Sequence, residues 1–328
     1  MSEPVLAIVN PAAGGGRCGR LAKAALARLR EAGVAVETAE TSGPGDATRL
    51  VRGAYARGQR QFLAVGGDGT AYEIVNGLFP EAWVSAEAGE ESGAVRGGRV
   101  ALGFLPLGTG NSFLRDFTER GAEHAADAIV TGRRQACDVL RLTHAAGEVY
   151  FINLLSMGFT ADVTAAANRR FKGLGELGYI LGVLYCLARL ERRAFPVRIQ
   201  QEDPLRSEPE GRLRAEPEGE FDRRRCLFLS FSNSKFTGGK MMIAPGASTN
   251  DGLLEYVRWG PVGRLELLRN FAKLFDGTHI THPQASRQGA RWVEFALDAP
   301  IDVMVDGEVL TLDCRRIEVL PGALDVMV

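Results

Sequence analysis

Apolar residues in the first third of the chain follow two alternating rhythms. Val5 to Val9 is an unbroken apolar run bounded by Pro4 and Asn10, the pattern of a strand buried on both faces. Leu21, Ala22, Ala25, Leu26 and Leu29 then recur at helical spacing until Gly33 stops them. Val34 to Ala39 predicts a second strand, and Ala47, Leu50, Val51 and Ala54 predict a second helix ended by Gly58. Phe62 to Val65 and Val100 to Leu105 predict two more strands, with a helix over Ile74 to Phe79 between them. This alternation predicts a doubly wound, parallel α/β sheet.

After about residue 136 strand-like runs dominate: Asp138 to Leu142, Val149 to Leu155, Phe195 to Gln200, Cys226 to Phe231, Leu253 to Trp259, Trp292 to Leu297 and Ile301 to Val305. Helical spacing is confined chiefly to Leu177 to Glu191 and Val262 to Phe275. A second domain built as an antiparallel β-sandwich is expected. Ala86 to Gly98, rich in Glu and Gly, and Glu202 to Arg225, densely charged, read as loops. The second is either a solvated hairpin loop or a lid over a pocket.

Composition narrows this picture. A chain of 328 residues suggests two domains, and 45% hydrophobic residues supply a sizeable core. The formal net charge of −1 provides no bulk field toward nucleic acid or anionic membrane, which leaves only a local patch open, and no nucleic-acid partner is expected. The 5 cysteines contain no Cys-x-x-Cys pair, which fits reduced thiols in a cytoplasm better than a disulfide framework or a zinc site. His279 and His282 have ligand-like spacing but no third ligand nearby. The start, Met-Ser-Glu-Pro, lacks the basic and apolar regions of a signal peptide. The longest apolar stretch, Leu177 to Leu190, is too short to span a bilayer.

The candidate chemistry lies in three small-residue loops. Gly14-Gly15-Gly16-Arg17-Cys18-Gly19 formally matches a dinucleotide fingerprint, but Asn10-Pro11-Ala12-Ala13 separates it from its strand. Gly66-Gly67-Asp68-Gly69-Thr70 follows one apolar strand and precedes a helix, and Leu105 to Asn111 repeats the arrangement after the next. Glycines let the backbone approach an anion, and a helix N-terminus adds positive dipole. A carboxylate in such a site makes sense beside Mg²⁺ or a reacting hydroxyl. Loops after strands one, three and four share one edge of a parallel sheet, so their convergence points to a nucleotide site. No Gly-x-x-x-x-Gly-Lys-Ser/Thr sequence is present, which excludes a P-loop.

Together these loops resemble the catalytic domain of diacylglycerol kinases, sphingosine kinases and their bacterial soluble relatives. The matching residues are Asn10-Pro11 with the following glycines, Gly66 to Thr70 continuing to Glu73, and Leu105 to Asn111. The likeness continues through Gly158 to Val163, Ala244-Pro245, Asp251 to Leu254 and Asp306-Gly307-Glu308, in the family's order over nearly the whole chain. It implies an ATP-binding α/β domain over 1–135, joined by returning strands within 313–328 (Arg315 to Leu320 and Leu324 to Val328), and a lipid-facing β-sandwich over 136–312.

The resemblance also implies roles. Asn10, Arg17, Thr41, Gly66, Gly67, Asp68, Gly69, Thr70, Glu73 and Thr109 would hold ATP, with Arg17 or Lys172 neutralising phosphate. Asp68 would orient Mg²⁺ or the acceptor hydroxyl, and Glu308, supported by Asp306, would accept its proton. Asp251, with the backbone oxygens of Ser248 and Leu253, would bind a structural Mg²⁺. Asp306-Gly307 and Asp251-Gly252 are equally good turn sequences. Two positions depart from the family: Ser112 stands where many bacterial relatives have Asp, and Tyr72 where Asn is frequent.

A lipid kinase is therefore expected, with a lipid substrate and transient contact with a membrane surface. A homodimer is compatible with the sequence. Two alternatives stay open, an NAD kinase-like enzyme and a lipid-binding protein without catalysis. The NAD kinase-like enzyme would need a polar acceptor site, whereas the lipid kinase and the lipid-binding protein would need an apolar tunnel, for which Leu154, Leu155, Phe159, Leu181, Leu184 and Tyr185 are candidates.

Overall fold

The computed structural model describes residues 4–81, 99–170, 175–200 and 219–328, with the side chains of 171–180 excepted. The loop expected at 86–98, most of that at 202–225, and Lys172 lie outside the described residues. Strand β1 (Val5–Val9), helix α1 (Arg17–Glu31), β2 (Val36–Glu40), α2 (Asp46–Ala56), β3 (Gln61–Gly66), α3 (Asp68–Leu78) and β4 (Ala101–Pro106) follow in the predicted alternation. A further helix, α4 (Ala122–Thr131), comes next. The four strands are parallel in the order β2-β1-β3-β4. Helix α1 buries Cys18, Ala22, Leu26 and Leu29 against one face of the sheet, while α2 and α3 bury Val51, Ile74 and Leu78 against the other. Covering both faces is what makes apolar runs such as Val5–Val9 stable as strands. Helix α3 begins at Asp68, well before Ile74, because the glycine motif itself forms its first turn.

The rest of the chain contains β5 (Gln135–His144), β6 (Gly147–Phe151), β7 (Leu154–Gly158), α5 (Phe159–Arg170), α6 (Gly175–Ala188), β8 (Arg193–Ala194), β9 (Val197–Ile199), β10 (Arg225–Cys226), β11 (Phe228–Ser232), β12 (Phe236–Thr237) and β13 (Met241–Met242). Then follow β14 (Leu254–Trp259), α7 (Arg264–Asn270), α8 (Lys273–Asp276), β15 (Ala285–Ala290), β16 (Trp292–Phe295), β17 (Ile301–Val305), β18 (Glu308–Leu312) and β19 (Cys314–Met327). The single strand expected over Val149 to Leu155 is two strands in two sheets. β6 stays with the first sheet, and β7 enters an antiparallel sheet of order β15-β14-β11-β7-β17-β18. The crossing at Ile152-Asn153 is hidden in the apolar pattern because both sides of it are buried.

The last strand unites the molecule. β19 pairs parallel with β4 and antiparallel with β5 and β16, with a register shift between Leu320 and Leu324. It is one bulged strand where two were expected, since Pro321-Gly322 reads as a break but is absorbed by the bulge. The first sheet thereby extends to β16 and β9, with β5 and β6 alongside. Leu140, Phe151, Leu155, Phe231, Val293 and Val303 fill the space between this extension and the antiparallel sheet, giving the expected sandwich. Helices α5 to α8 cover its outer face, with Phe159, Cys186, Leu267 and Leu274 packed in one cluster with Phe228 and Trp259.

Candidate active site

The order of the parallel strands reverses between β1 and β3, and the loops after β1, β3 and β4 leave the same sheet edge. The first loop runs through Gly14, Gly15 and Gly16, all at positive φ, and Asn10 Oδ1 accepts the Ala12 amide at 3.2 Å. The second loop is the start of α3, with Asp68 as the first helical residue. The third doubles back on the second: the Gly108 amide donates to the Gly66 carbonyl at 2.7 Å. A Cβ on Gly108 would lie 2.5 Å from Gly67 Cα, so this approach requires glycine.

These loops and the β17–β18 hairpin enclose a cleft of about 350 Å³. Asn10, Gly67, Asp68, Gly69, Thr70 and Thr109 line it from the parallel side, and Asp306, Gly307 and Glu308 from the sandwich. Asp306 and Gly307 have φ of 48° and 93° and form the two-residue hairpin turn, so the motif is both a turn and a cleft wall. The buried Asp306 carboxylate accepts the amides of Ile152, Asn153 and Leu154 at 3.1, 3.0 and 2.9 Å. Those are the residues where the chain crosses between sheets. Burial, with repulsion from Asp68 adding to it, lifts Asp306 to about 7 despite these bonds.

Burial also raises Asp68, whose Oδ2 accepts the Ser112 amide at 2.9 Å. Glu308 is exposed and lies across from the second loop: a Cβ on Gly69 would stand 2.7 Å from its Oε1. Tyr72 adjoins both carboxylates, and its phenol is raised by burial and by the charges of Asp306 and Glu308. At the other family departure, Ser112 Oγ accepts the Gly239 amide at 2.9 Å, linking the cleft to the sandwich side without a carboxylate. The carboxylate nearby is Asp116 instead, lifted to about 6 by burial, with its Oδ2 accepting the Lys235 amide at 2.9 Å.

Four expected nucleotide residues do not line the cleft. Glu73 accepts the Gly45 and Ala47 amides at 2.9 and 3.0 Å, so its carboxylate caps the start of α2. Thr41 prolongs β2, its amide bonded to the Val9 carbonyl at 2.9 Å, and Arg17 is exposed at the start of α1. Gly66 lies beneath the loop, where a Cβ would meet the Thr70 hydroxyl. That hydroxyl is buried and has no hydrogen-bond partner among the described residues.

Ser248, Asp251 and Leu253 share the turn before β14. Asp251 is exposed, and its Oδ1 accepts the Leu253 amide at 3.0 Å. Beside it stands Asp138 of β5, which the sequence reading missed. Its two carboxylate oxygens accept the Gly252 and Gly322 amides, each at 2.7 Å, and its own amide donates to the Thr249 carbonyl at 2.7 Å. Burial raises Asp138, and the charge of Asp251 adds to the effect. A lone Asp in an apolar strand carries no signal, because its partners are 114 and 184 residues away.

The six residues expected to line a tunnel do not share one. Leu154 and Leu155 point to opposite faces of β7, as strand alternation demands. Phe159 lies in the outer layer, Leu184 is 53% exposed, and Tyr185 sits beneath Arg170 and Arg189. Leu181 is partly buried on α6. An apolar crevice does adjoin the cleft. It is lined by Phe159, Val163, Phe228, Trp259, Leu267 and Phe271, and it shares Thr160 and Met241 with the cleft.

Known proteins match this arrangement. Residues 4–142 fit the family model described as the diacylglycerol kinase catalytic domain, and residues 153–328 that of the YegS C-terminal NAD kinase beta sandwich-like domain. A diacylglycerol kinase of Mycobacterium tuberculosis (strain H37Rv) is 28% identical over 98% of this chain and 94% of its own. A protein named "Probable lipid kinase YegS-like" from Chromohalobacter salexigens is 33% identical over 92% of this chain and 86% of its own. Two solved structures from Bacillus anthracis str. Sterne, the second named a diacylglycerol kinase, have TM-scores of 0.71 and 0.63 at 22% and 20% identity. Each covers 99% of this chain, and 95% and 96% of its own, and speaks for the fold. The chain therefore belongs to the YegS-like lipid kinase family, in which a diacylglycerol kinase catalytic domain is joined to a YegS-type β-sandwich-like domain.

Proposed function

We propose that this chain transfers the γ-phosphoryl group of ATP, with Mg²⁺, to the hydroxyl of a lipid such as diacylglycerol. The observation that carries the reading is the meeting, across one cleft, of the glycine loops bearing Asp68 with the Asp306-Gly307-Glu308 turn. Residues 1–135, with 313–328, would form the nucleotide side, and 136–312 the lipid side. Asn10, Gly67, Gly69, Thr70 and Thr109 line the cleft at the N-terminus of α3, where a Cβ on Gly69 would crowd Glu308, and this suits phosphate oxygens.

The site also suits a divalent cation, because Asp68 and Asp306 repel each other in a buried setting. Asp68 would hold Mg²⁺, which supplies charge neutralisation to the transferring phosphoryl group. Asp306 spends its oxygens on three amides, so it is a positioning residue for the turn. Glu308, exposed at the cleft, is then the group that accepts the lipid hydroxyl proton. At the second site, Asp251 and the carbonyls of Ser248 and Leu253 would hold a structural Mg²⁺, whose charge would relieve the repulsion between Asp138 and Asp251. The five free cysteines, all buried, suit a reducing cytoplasm.

The test is phosphate transfer from ATP and Mg²⁺ to a detergent-dispersed panel of diacylglycerol, monoacylglycerol, sphingosine, ceramide and phosphatidylglycerol, with NAD in parallel. Mass spectrometry should find one lipid heavier by a phosphate. The product should vanish with Asp68→Ala and fall about 10²- to 10⁴-fold with Glu308→Gln. Phosphorylated NAD without a lipid product would overturn the reading.

A further inference from the structure

Helices α7 and α8 carry two apolar stripes. Leu267, Phe271 and Leu274 pack inward against the outer face of the sandwich. Leu265, Leu268 and Phe275 point outward, exposed by 69%, 54% and 46%. Phe271 and Ala272 at the junction keep right-handed helical backbone angles, so the outward residues, at i, i+3 and i+10, run along one line. Isolated exposed leucines need no explanation, but an exposed row on one short helical segment does.

Cations border this row. Arg264 donates to the Leu187 and Ala188 carbonyls at 3.0 and 2.9 Å, and Arg192 to the Val262 carbonyl at 3.0 Å, so neither charge is neutralised there. Arg269 and Lys273 likewise form no ion pair among the described residues, and Arg192, Arg264, Leu265 and Arg269 line one groove. Glu266 also lines this groove, but its carboxylate is held by His282 at 3.0 Å and the Gly263 amide at 3.2 Å, and Asp276 accepts the Thr278 amide at 2.9 Å.

We infer that this face docks on an anionic phospholipid bilayer, with the three apolar side chains in the interface and the four cations over lipid phosphates. An amphipathic segment with leucines on one side and unneutralised arginines beside them gains from both terms at such a surface. A second copy laid on the same row would gather the four cations of both copies into one interface, so charge disfavours self-association. The inward stripe bounds the apolar crevice beside the cleft, so docking would bring that crevice to the bilayer. Only this last point rests on the lipid kinase reading.

Sedimentation with phosphatidylglycerol-containing vesicles, in buffer without nucleotide, tests the inference. Wild-type protein should bind these vesicles, bind phosphatidylcholine vesicles less, and lose binding as salt is raised. The double variant Leu265→Ser/Leu268→Ser should lower the partition coefficient about tenfold or more. Arg269→Glu/Lys273→Glu should do the same and flatten the salt dependence. Leu21→Ser, on exposed α1, should bind as wild type does, with circular dichroism confirming each fold. Wild-type-level binding by either double variant, no wild-type binding, or dimers in ultracentrifugation that the leucine variant dissolves would each overturn it. Vesicle binding without lipid phosphorylation would fault the proposed reaction and leave this surface standing.

Discussion

Buried carboxyl groups set the behaviour of this site residue by residue. Asp68, Asp116 and Asp306 are all raised by burial, the last two to about 6 and about 7. Unfolded, each titrates near 4, so between about pH 4 and pH 7 the folded chain binds more protons than the unfolded one. The stability these groups contribute is fully present below about pH 4 and is lost as pH rises through their folded values. Asp116 isolates the effect, because Asp116→Asn keeps an oxygen for the Lys235 amide. Without divalent cations, wild-type stability should fall by about 1 kcal/mol more than that of the variant between pH 5 and pH 7.5, as read from urea denaturation. Equal slopes would remove Asp116 from this account. At this scale the sequence shows a residue when its neighbours in the chain make the motif. Asp68 among its glycines and Asp306 with Glu308 were legible for that reason. Ser112 was legible only as a departure, and its bond to Asp68 depends on a loop that closes 44 residues later.

Elements were legible where burial is one-sided or complete, and illegible where the chain changes sheet without changing polarity. The helices α1 and α2 and the parallel strands follow from periodicity alone. The β6–β7 crossing does not, because its direction is imposed from a distance by the Asp306 carboxylate gripping three consecutive amides. Glu73 shows the converse: the family resemblance of the motif it closes implied a ligand contact, while its side chain reaches back to cap a different helix. A helix cap and a nucleotide ligand are separable by measurement. Glu73→Ala leaves the Gly45 and Ala47 amides without their acceptor and should cost about 1–2 kcal/mol. In calorimetric titration at a temperature where both proteins are folded, ATP affinity should change by less than about threefold, well under 1 kcal/mol. A larger loss of affinity with unchanged melting would return Glu73 to the nucleotide site.

Across the whole molecule, two devices bind the halves together, and neither shows in local sequence. β19 is a strand of both, and Asp138 draws the turn before β14 and the β19 bulge onto β5. The Asp138 clamp works against a like charge, since Asp251 lies close enough to raise it. That conflict gives a metal dependence with a definite sign. If Asp251 helps hold Mg²⁺, the cation should raise the melting temperature of the wild type and a chelator should lower it. Saturation near one hundred times the dissociation constant corresponds to about 2.7 kcal/mol. Asp251→Asn removes the repulsion along with the ligand, so without metal it should melt at or above the wild type, and Mg²⁺ should then add nothing from this site. A titration to saturating Mg²⁺ without nucleotide, followed by scanning calorimetry of both proteins, separates the possibilities. A variant that melts below the wild type without metal would mean that the carboxylate charge, by strengthening the bond to the Leu253 amide that Asn would keep only in neutral form, outweighs the repulsion. An unchanged Mg²⁺ increment would move the metal away from this turn, leaving Asp138 as a clamp held by hydrogen bonds alone.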